Sequence, residues 1–465
     1  MKKVVAGIIV LAGLAAAGIL ADQAVERDRD YHRLIDEGDA ALSHGQTFVA
    51  IEKYSGAIAL KNDSMLAYLK RGEAHQRRGD TPETLAAALR DLRTAADLQP
   101  GAPRTLEKLG DVNMQMRRFA NAAENYEAYL RLDDHAAAIF YKLALASRGD
   151  GNITRAISAL KQAVALNPNF HEAHYVLGLC LKDREELAEA RVAFERASAI
   201  APAFIPAREE LAELHRLQQQ TRAEIEQLNA LYALDSSKPE RLIAVGRAYL
   251  RAGNRDLAVI TLGRAADNFK EYPGVYAALG QVWFEAAEDR GDPSDLRKAL
   301  EALGPVAEQS TTSSETLGIY GRALVLAGRH EEAVGVFRQA SQRFPTDPEV
   351  LPHFASAAQR LGHLTEARQA LVNYSMLVDE DADEAIHATR IADLSMQLND
   401  AAAAVAWYQK SDSLRTGDAS FLARMADAQS RAGQHEPARA TIKRALEKDP
   451  NHPLVRTVAR RLQAR

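Results

Sequence analysis

HEAHYVLGLCLKDREELAEARVAFERASAIAPAF, residues 171–204, carries the pattern that decides the fold. Gly178 is followed twelve positions later by Ala190 and four positions after that by Phe194. Glycine leaves a hole on one helix, alanine lets the next helix close in, and the bulky side chain one turn further fills the hole. Together the three residues specify two helices in tight contact. The triplet recurs along the chain. The first position reads Gly38, Gly72, Gly110, Ala144, Gly178, Ala212, Gly246, Gly280, Gly321, Ala355, Ala392 and Ala426. The second reads Ala50, Ala88, Ala122, Ala156, Ala190, Glu224, Ala258, Ala299, Ala333, Ala367, Ala404 and Ala438, and only Glu224 breaks the small-residue rule. The third is always bulky: Tyr54, Leu92, Tyr126, Leu160, Phe194, Leu228, Leu262, Leu303, Phe337, Leu371, Tyr408 and Ile442.

Copies therefore start at residues 31, 65, 103, 137, 171, 205, 239, 273, 314, 348, 385 and 419. A period of about thirty-four residues built from two helices is the signature of a stacked helical repeat. Three intervals are longer. Their extra residues fall in RGDTPET (78–84), EDRGDPSD (288–295) and DEDADE (379–384), each rich in Gly, Pro or acid and each expected to form a solvated loop.

In these features the chain resembles the tetratricopeptide repeat family. The clearest copies end AISALKQAVALNPN, ARVAFERASAIAP, AVGVFRQASQRFP and ARATIKRALEKDPN, with Pro168, Pro202, Pro345 and Pro450 at the family's helix-ending proline. The early tryptophan common in the family is absent, replaced by Tyr68, Phe140, His174, Leu242 and Tyr276 among others. The sixth copy, residues 205–238, departs furthest, with Glu224 and Leu231 where alanine is usual. The resemblance implies an all-α, right-handed superhelical solenoid of about twelve helix-turn-helix repeats over residues 31–452, closed by a capping helix in PLVRTVARRLQAR (453–465).

Composition agrees. Hydrophobic residues make up 47% but aromatics only 6%, which suits many small helix–helix contacts better than one large core. A formal net charge of −5 lacks the cationic excess that nucleic-acid backbones demand. The single cysteine, Cys180, permits no intrachain disulfide and fits a small buried apolar role.

The N-terminus places Lys2 and Lys3 before an uncharged run from Val4 to Ala21. Eighteen residues at helical rise nearly match a bilayer core, so a spanning anchor (1–21) followed by a charged linker (22–30) is expected. A second reading, a signal peptide cleaved near Ala15-Ala16-Ala17, stays open. Either way the lysines remain cytoplasmic and the repeats are exported, giving a protein of a bacterial-type inner membrane with periplasmic repeats, or a soluble periplasmic one. Arg27, Arg29 and Arg33 dilute the charge asymmetry, so a cytoplasm-facing docking subunit is a third reading.

No glycine loop for phosphate and no paired-cysteine metal motif is present. His171 and His174 are spaced to share a helix face, but His174 sits in the family's aromatic slot and a further ligand would be needed. The acidic run 379–384 lacks the spaced ligands and glycine of a calcium loop. No catalytic residue, metal site or cofactor is expected, and the flanks of the repeats leave no room for a catalytic domain.

Binding is then the expected role. The resemblance implies that the fifth and ninth residues of each repeat point into a concave groove. Most are polar or small, as in Glu107 with Asp111, Glu209 with Glu213, and Thr389 with Asp393. Repeats four and five instead present Tyr141 with Leu145 and Tyr175 with Leu179, flanked by Lys142, Arg148 and Lys182. Exposed aromatic and aliphatic groups rimmed by cations are what a peptide site needs. The competing reading is that neighbouring helices cover them. The family's Lys/Asn carboxylate clamp occurs in no copy. The expected function is a scaffold or adaptor that holds protein segments. The alternative is a periplasmic carrier or chaperone-like factor of an envelope polysaccharide or secretion pathway, which would spread aromatics over more repeats.

Overall fold

The computed structural model describes residues 2–79, 81–378, 383–415 and 417–463, with side chains from Leu20 onward. Among the described residues the chain forms 25 α-helices and no strand. Each repeat is a pair. In the fifth, α9 (His171–Asp183) packs along α10 (Leu187–Ile200). The chain divides into two compact units, Met1–Leu234 and Asp235–Arg465, each made of six repeats, and the division follows the sixth and most divergent copy.

The hole-and-filler contact is present as expected. A methyl group added at Gly178 would lie 2.5 Å from Phe194 Cε1, and one at Gly110 would lie 2.4 Å from Tyr126 Cε1. Neither ring could yield, since Phe194 and Tyr126 are buried. Around such contacts the first unit assembles a continuous core through Tyr126, Leu160, Phe194 and Leu214. The second unit holds equivalent cores around Phe337 and Leu371, and around Tyr408 and Leu422. In repeat six the filler Leu228 is only half-buried, while Glu224 and Leu231 are buried instead.

A single turn geometry joins the helices of most pairs. Seven residues after the first small position the backbone becomes left-handed, at Gly45, Gly151, Gly253, Gly328, Gly362 and Gly433. In the fourth repeat Asn152 N–H donates to Ser147 O at 2.8 Å and Gly151 N–H to Arg148 O at 3.0 Å, closing the last turn of α7 (Ala137–Gly149). Arg117, Glu185, Gln219 and Asn399 adopt the same conformation without glycine, each at a cost of about 1 kcal/mol for all but Asn.

Two expectations about loops are corrected. The extra residues of repeat two lengthen its second helix, α4 (Pro82–Leu98), to 17 residues, and those of repeat eight extend its first, α15 (Pro273–Arg290), to 18. Only Gly291 and Asp292 separate α15 from α16 (Pro293–Ala307). Residues 379–382 of the third insertion lie outside the described residues, and Glu384 already opens α21 (Glu384–Gln397). The stretch 22–30 is helical throughout, part of α1 (Lys2–Ser43), a 42-residue helix that runs into the first repeat. Burial begins at Tyr31. The side chains of residues 2–19, most of the anchor segment Val4 to Ala21, are outside the described set. Among the described residues no helix is long and apolar enough to cross a membrane. At the other end α25 (Pro453–Gln463) lays Val455, Val458 and Leu462 on the preceding pair and leaves Arg456, Arg460 and Arg461 outside, as a cap requires. Cys180 is fully buried, and burial pushes its thiol up to about 11.

Repeat nine offers a paired test. A methyl at Gly321 in α17 (Ser314–Leu326) would meet Phe337 Cε1 at 2.4 Å, whereas one at Gly335 in α18 (His330–Arg343) meets open space. Gly321→Ala is expected to cost roughly 1–3 kcal/mol through overpacking, outweighing a helix-propensity gain of about 1 kcal/mol. Gly335→Ala is expected to stabilise by roughly 0.5–1 kcal/mol. Hydrogen exchange checks both, with changes confined to α17, α18 and their neighbours. Loss of protection spread over the whole unit would contradict nearest-neighbour stacking.

Candidate binding face on the first helices

The ninth residues of three repeats anchor a buried hydroxyl. Where the filler is tyrosine, its buried hydroxyl needs an acceptor, and the aspartate fifteen residues earlier supplies it. Tyr126 Oη donates to Asp111 Oδ1 at 2.9 Å, Tyr54 Oη to Asp39 Oδ1 at 2.6 Å, and Tyr408 Oη to Asp393. A cation of the next repeat then closes each network. Lys70 donates to both oxygens of Asp39 at 2.7 Å, Lys142 to Asp111 at 2.8 Å, and Arg424 to Asp393. Burial, then the aspartates, lifts the hydroxyls of Tyr54 and Tyr408 above the usual range, and burial with the Asp111 charge does the same for Tyr126. Packing within one repeat is thereby tied to contact with the next.

Repeats four and five lack the device. Their fillers are Leu160 and Phe194, and their ninth residues are Leu145 and Leu179, so the face turns apolar where repeats one to three and six carry Asp39, Glu73, Asp111 and Glu213. Tyr141 lies against Phe170 with ring centroids 4.9 Å apart. One repeat later Tyr175 contacts Phe204 at 5.3 Å and Phe194 at 5.8 Å. Tyr141, Leu145, Tyr175 and Leu179 are all half-buried and pack on the first unit's core, so the two sequence readings, open ledge and covered core, are each partly met. Neither tyrosine hydroxyl has a hydrogen-bond partner among the described residues. Burial, then the Glu172 charge, raises the Tyr141 hydroxyl above its ordinary value; burial, then Glu210, does so for Tyr175.

The flanking cations are not a free positive rim. Lys142 donates to Glu107 Oε1 at 2.6 Å besides Asp111, Lys182 to Glu210 at 2.6 Å, and Arg148 reaches Asp183 at 3.2 Å. Burial alone would pull the Lys142 ammonium down, but Asp111 and Glu107 outweigh it and hold it above its ordinary value. The face is an aromatic and aliphatic ledge edged by neutralised ion pairs, suited to apolar anchors rather than to an acidic tail.

The histidine pair separates. His171 turns its ring toward Phe204 at 5.0 Å, while His174 Nε2 lies 3.1 Å from Pro168 O. Asp133, Asp134 and His135 do cluster, with ligand atoms within 4.8 Å of one another, but on a fully exposed turn. Two features of the second unit went unread in the sequence. A cavity of about 470 Å³ is lined by Glu285, Glu288, Glu315, Arg322 and His353, and another of about 590 Å³ is lined by four arginines. The available signal was the sixth position of the last three repeats, His353, Arg390 and Arg424.

Family profiles described as tetratricopeptide repeat match residues 141–203 and 284–348, and a further one matches residues 395–462. No curated protein matches the chain. Similar solved structures include the C-terminal part of a TPR repeat-containing protein from Cytophaga hutchinsonii, at 15% identity over 53% of this chain and 99% of that one, with a TM-score of 0.46. Another is pilF of Pseudomonas aeruginosa, at 17% identity over 46% and 96%, with a TM-score of 0.39. A third is MamA from Desulfovibrio magneticus RS-1, at 19% identity over 38% and 97%, with a TM-score of 0.36.

The tyrosine-centred network has a measurable hierarchy. Tyr126→Phe removes one donor from an aspartate that keeps Lys142, and is expected to cost about 1 kcal/mol. Lys142→Met removes the cation that Glu107 and Asp111 share, leaving Asp111 only the more distant Lys108 at 3.6 Å, and is expected to cost more. Hydrogen exchange in α5 (Pro103–Gln115) and α7 checks the order, with equal loss of protection in the two variants counting against it.

Proposed function

We propose that this chain of tetratricopeptide repeats is a protein-interaction scaffold whose first unit holds partner segments on the ledge of repeats four and five. The contacts would come from Tyr141, Leu145, Tyr175 and Leu179, framed by Lys142, Arg148 and Lys182. The observation that carries the reading is the replacement, in these two repeats alone among the first five, of acidic ninth residues by leucines beside half-exposed tyrosines with unpartnered hydroxyls. Such a ledge offers an apolar anchor with polar atoms left over for a backbone, which is how extended or helical segments are held. The occupant is a protein segment with apolar side chains, and no cofactor or catalytic step is part of the role. The polysaccharide carrier is the weaker reading, because the aromatic contacts cluster here instead of running along many repeats.

The sequence further supports a tether at an inner membrane through Val4 to Ala21, with the repeats on the periplasmic side. A soluble periplasmic protein released by signal cleavage is the alternative. With α1 continuous from Lys2 to Ser43, such a tether would join the first repeat without a flexible joint.

A photo-crosslinking residue at Leu179 is expected to capture a protein partner, and the same residue at exposed Gly335 is not. Capture is expected to vanish in Tyr141→Ala/Tyr175→Ala while the far-ultraviolet helical signal stays nearly unchanged. Glycan adducts at Leu179 would instead support the carrier, and unfolding of the double variant would show the tyrosines to be core alone.

For the tether, intact-mass measurement of natively expressed protein is expected to retain Lys2 and Lys3, and the protein to resist carbonate extraction yet dissolve in detergent. A mature form beginning near Gly18 or Asp22, free in the periplasmic fraction, would replace the anchor with a cleaved signal.

A further inference from the structure

The 590 Å³ cavity of the second unit has an unbalanced set of charges. Arg390, Arg424, Arg431 and Arg461 line it, against Asp393 and Asp427. Asp427 takes Arg431 at 2.9 Å and Arg461 at 2.5 Å. Asp393 takes Arg424 and the Tyr408 hydroxyl. Both carboxylates are thus spent, and Arg390 is left over. Its Nε and Nη2 donate to Gln359 Oε1 at 3.1 Å, and Nη2 to Ser356 Oγ at 2.9 Å, all neutral acceptors. Arg424 adds a second deficit, since its Nε is buried with no acceptor.

A guanidinium held half-buried without a counter-charge is unfavourable, and helix packing imposes it here. Arg390 on α21 and Arg424 on α23 (Ala419–Arg431) occupy the same register one repeat apart, so the stacking that forms the core brings both to one cavity. Burial also holds the Arg390 guanidinium below its ordinary value. Met396, Leu454 and Val458 give the same cavity an apolar wall.

We propose that this cavity is a second binding site, separate from the ledge of the first unit, and that it takes an Asp or Glu carboxylate of a partner protein's segment between Arg390 and Arg424. A carboxylate accepts from planar guanidinium groups in a fixed geometry and would supply the counter-charge missing at Arg390 together with an acceptor for Arg424 Nε. An apolar residue beside the acid in the partner would rest on Met396 and Val458. Polyanions fit less well, because Asp393 and Asp427 stand in the cavity and the chain as a whole carries a net charge of −5.

The experiment follows the arginine Nε–Hε signals of the full chain by nuclear magnetic resonance. The probes are the capped peptide acetyl-Leu-Glu-Asp-Leu-amide, its Gln/Asn counterpart and inorganic phosphate, at constant ionic strength. The acidic peptide is expected to shift the Arg390 and Arg424 signals saturably, and the amide peptide to shift neither. Arg390→Gln is expected to weaken binding at least tenfold while the thermal midpoint holds or rises, since an uncompensated charge has been removed. A purely structural Arg390 would give the opposite midpoint change. Equal shifts from both peptides, or a lowered midpoint with binding intact, would overturn the proposal. Phosphate binding as strongly as the acidic peptide would overturn the peptide assignment in favour of a free-anion site.

Discussion

Everything in this chain hangs on the contact between a residue with almost no side chain and the bulky residue that fills its place from the next helix. Where the first residue is glycine, the contact is intolerant in both directions. A methyl added at Gly38, Gly110 or Gly321 would stand 2.4 Å from a buried ring, and a smaller filler would leave a void that the close-packed pair could not collapse. It fixes how near the two helices lie, and through the left-handed turn seven residues on, how the chain re-enters the second helix. Repetition of that one contact lets each unit grow by adding pairs instead of enlarging a core, which is why a chain with 6% aromatic residues can be ordered over so many residues.

The chemistry of the exposed face follows from the choice of filler. Tyrosine brings a hydroxyl into the interior, the hydroxyl recruits Asp39, Asp111 or Asp393, and the aspartate recruits a cation from the following repeat. Those repeats spend their ninth position on stability. Leucine and phenylalanine make no such demand, so Leu145 and Leu179 are free to present apolar surface. An apolar filler permits the ledge without dictating it, since repeats two and six, with Leu92 and Leu228 as fillers, keep Glu73 and Glu213 at the ninth position.

Repeats and the terminal helix were legible because each rests on a residue type with a single physical use at its position: glycine at Gly178, a bulky filler at Phe194, apolar spacing at Val455, Val458 and Leu462. Tyr141 and Tyr175 were legible as exceptions to a pattern. What escaped were pairings between residues about thirty apart, such as Lys142 with Asp111 or Arg390 with Gln359, since spacing along one chain does not say which side chains meet across a stack. Lys142 looked like a free cation for that reason. The lengthening of α4 and α15 was missed because Gly, Pro and Asp favour turns, yet Pro82 and Pro293 sit at helix starts, where a missing N–H costs nothing.

The 42-residue helix α1 makes the entry to the first repeat a rigid shaft, roughly 63 Å long at the usual rise. A shaft transmits phase. Each residue added or removed between Ala21 and Tyr31 would turn the first repeat by about 100° relative to whatever holds the other end, so length and orientation cannot vary independently there. Homologous chains that keep this helix unbroken would therefore be expected to change its length in steps near seven residues, which return the repeat almost to its original bearing.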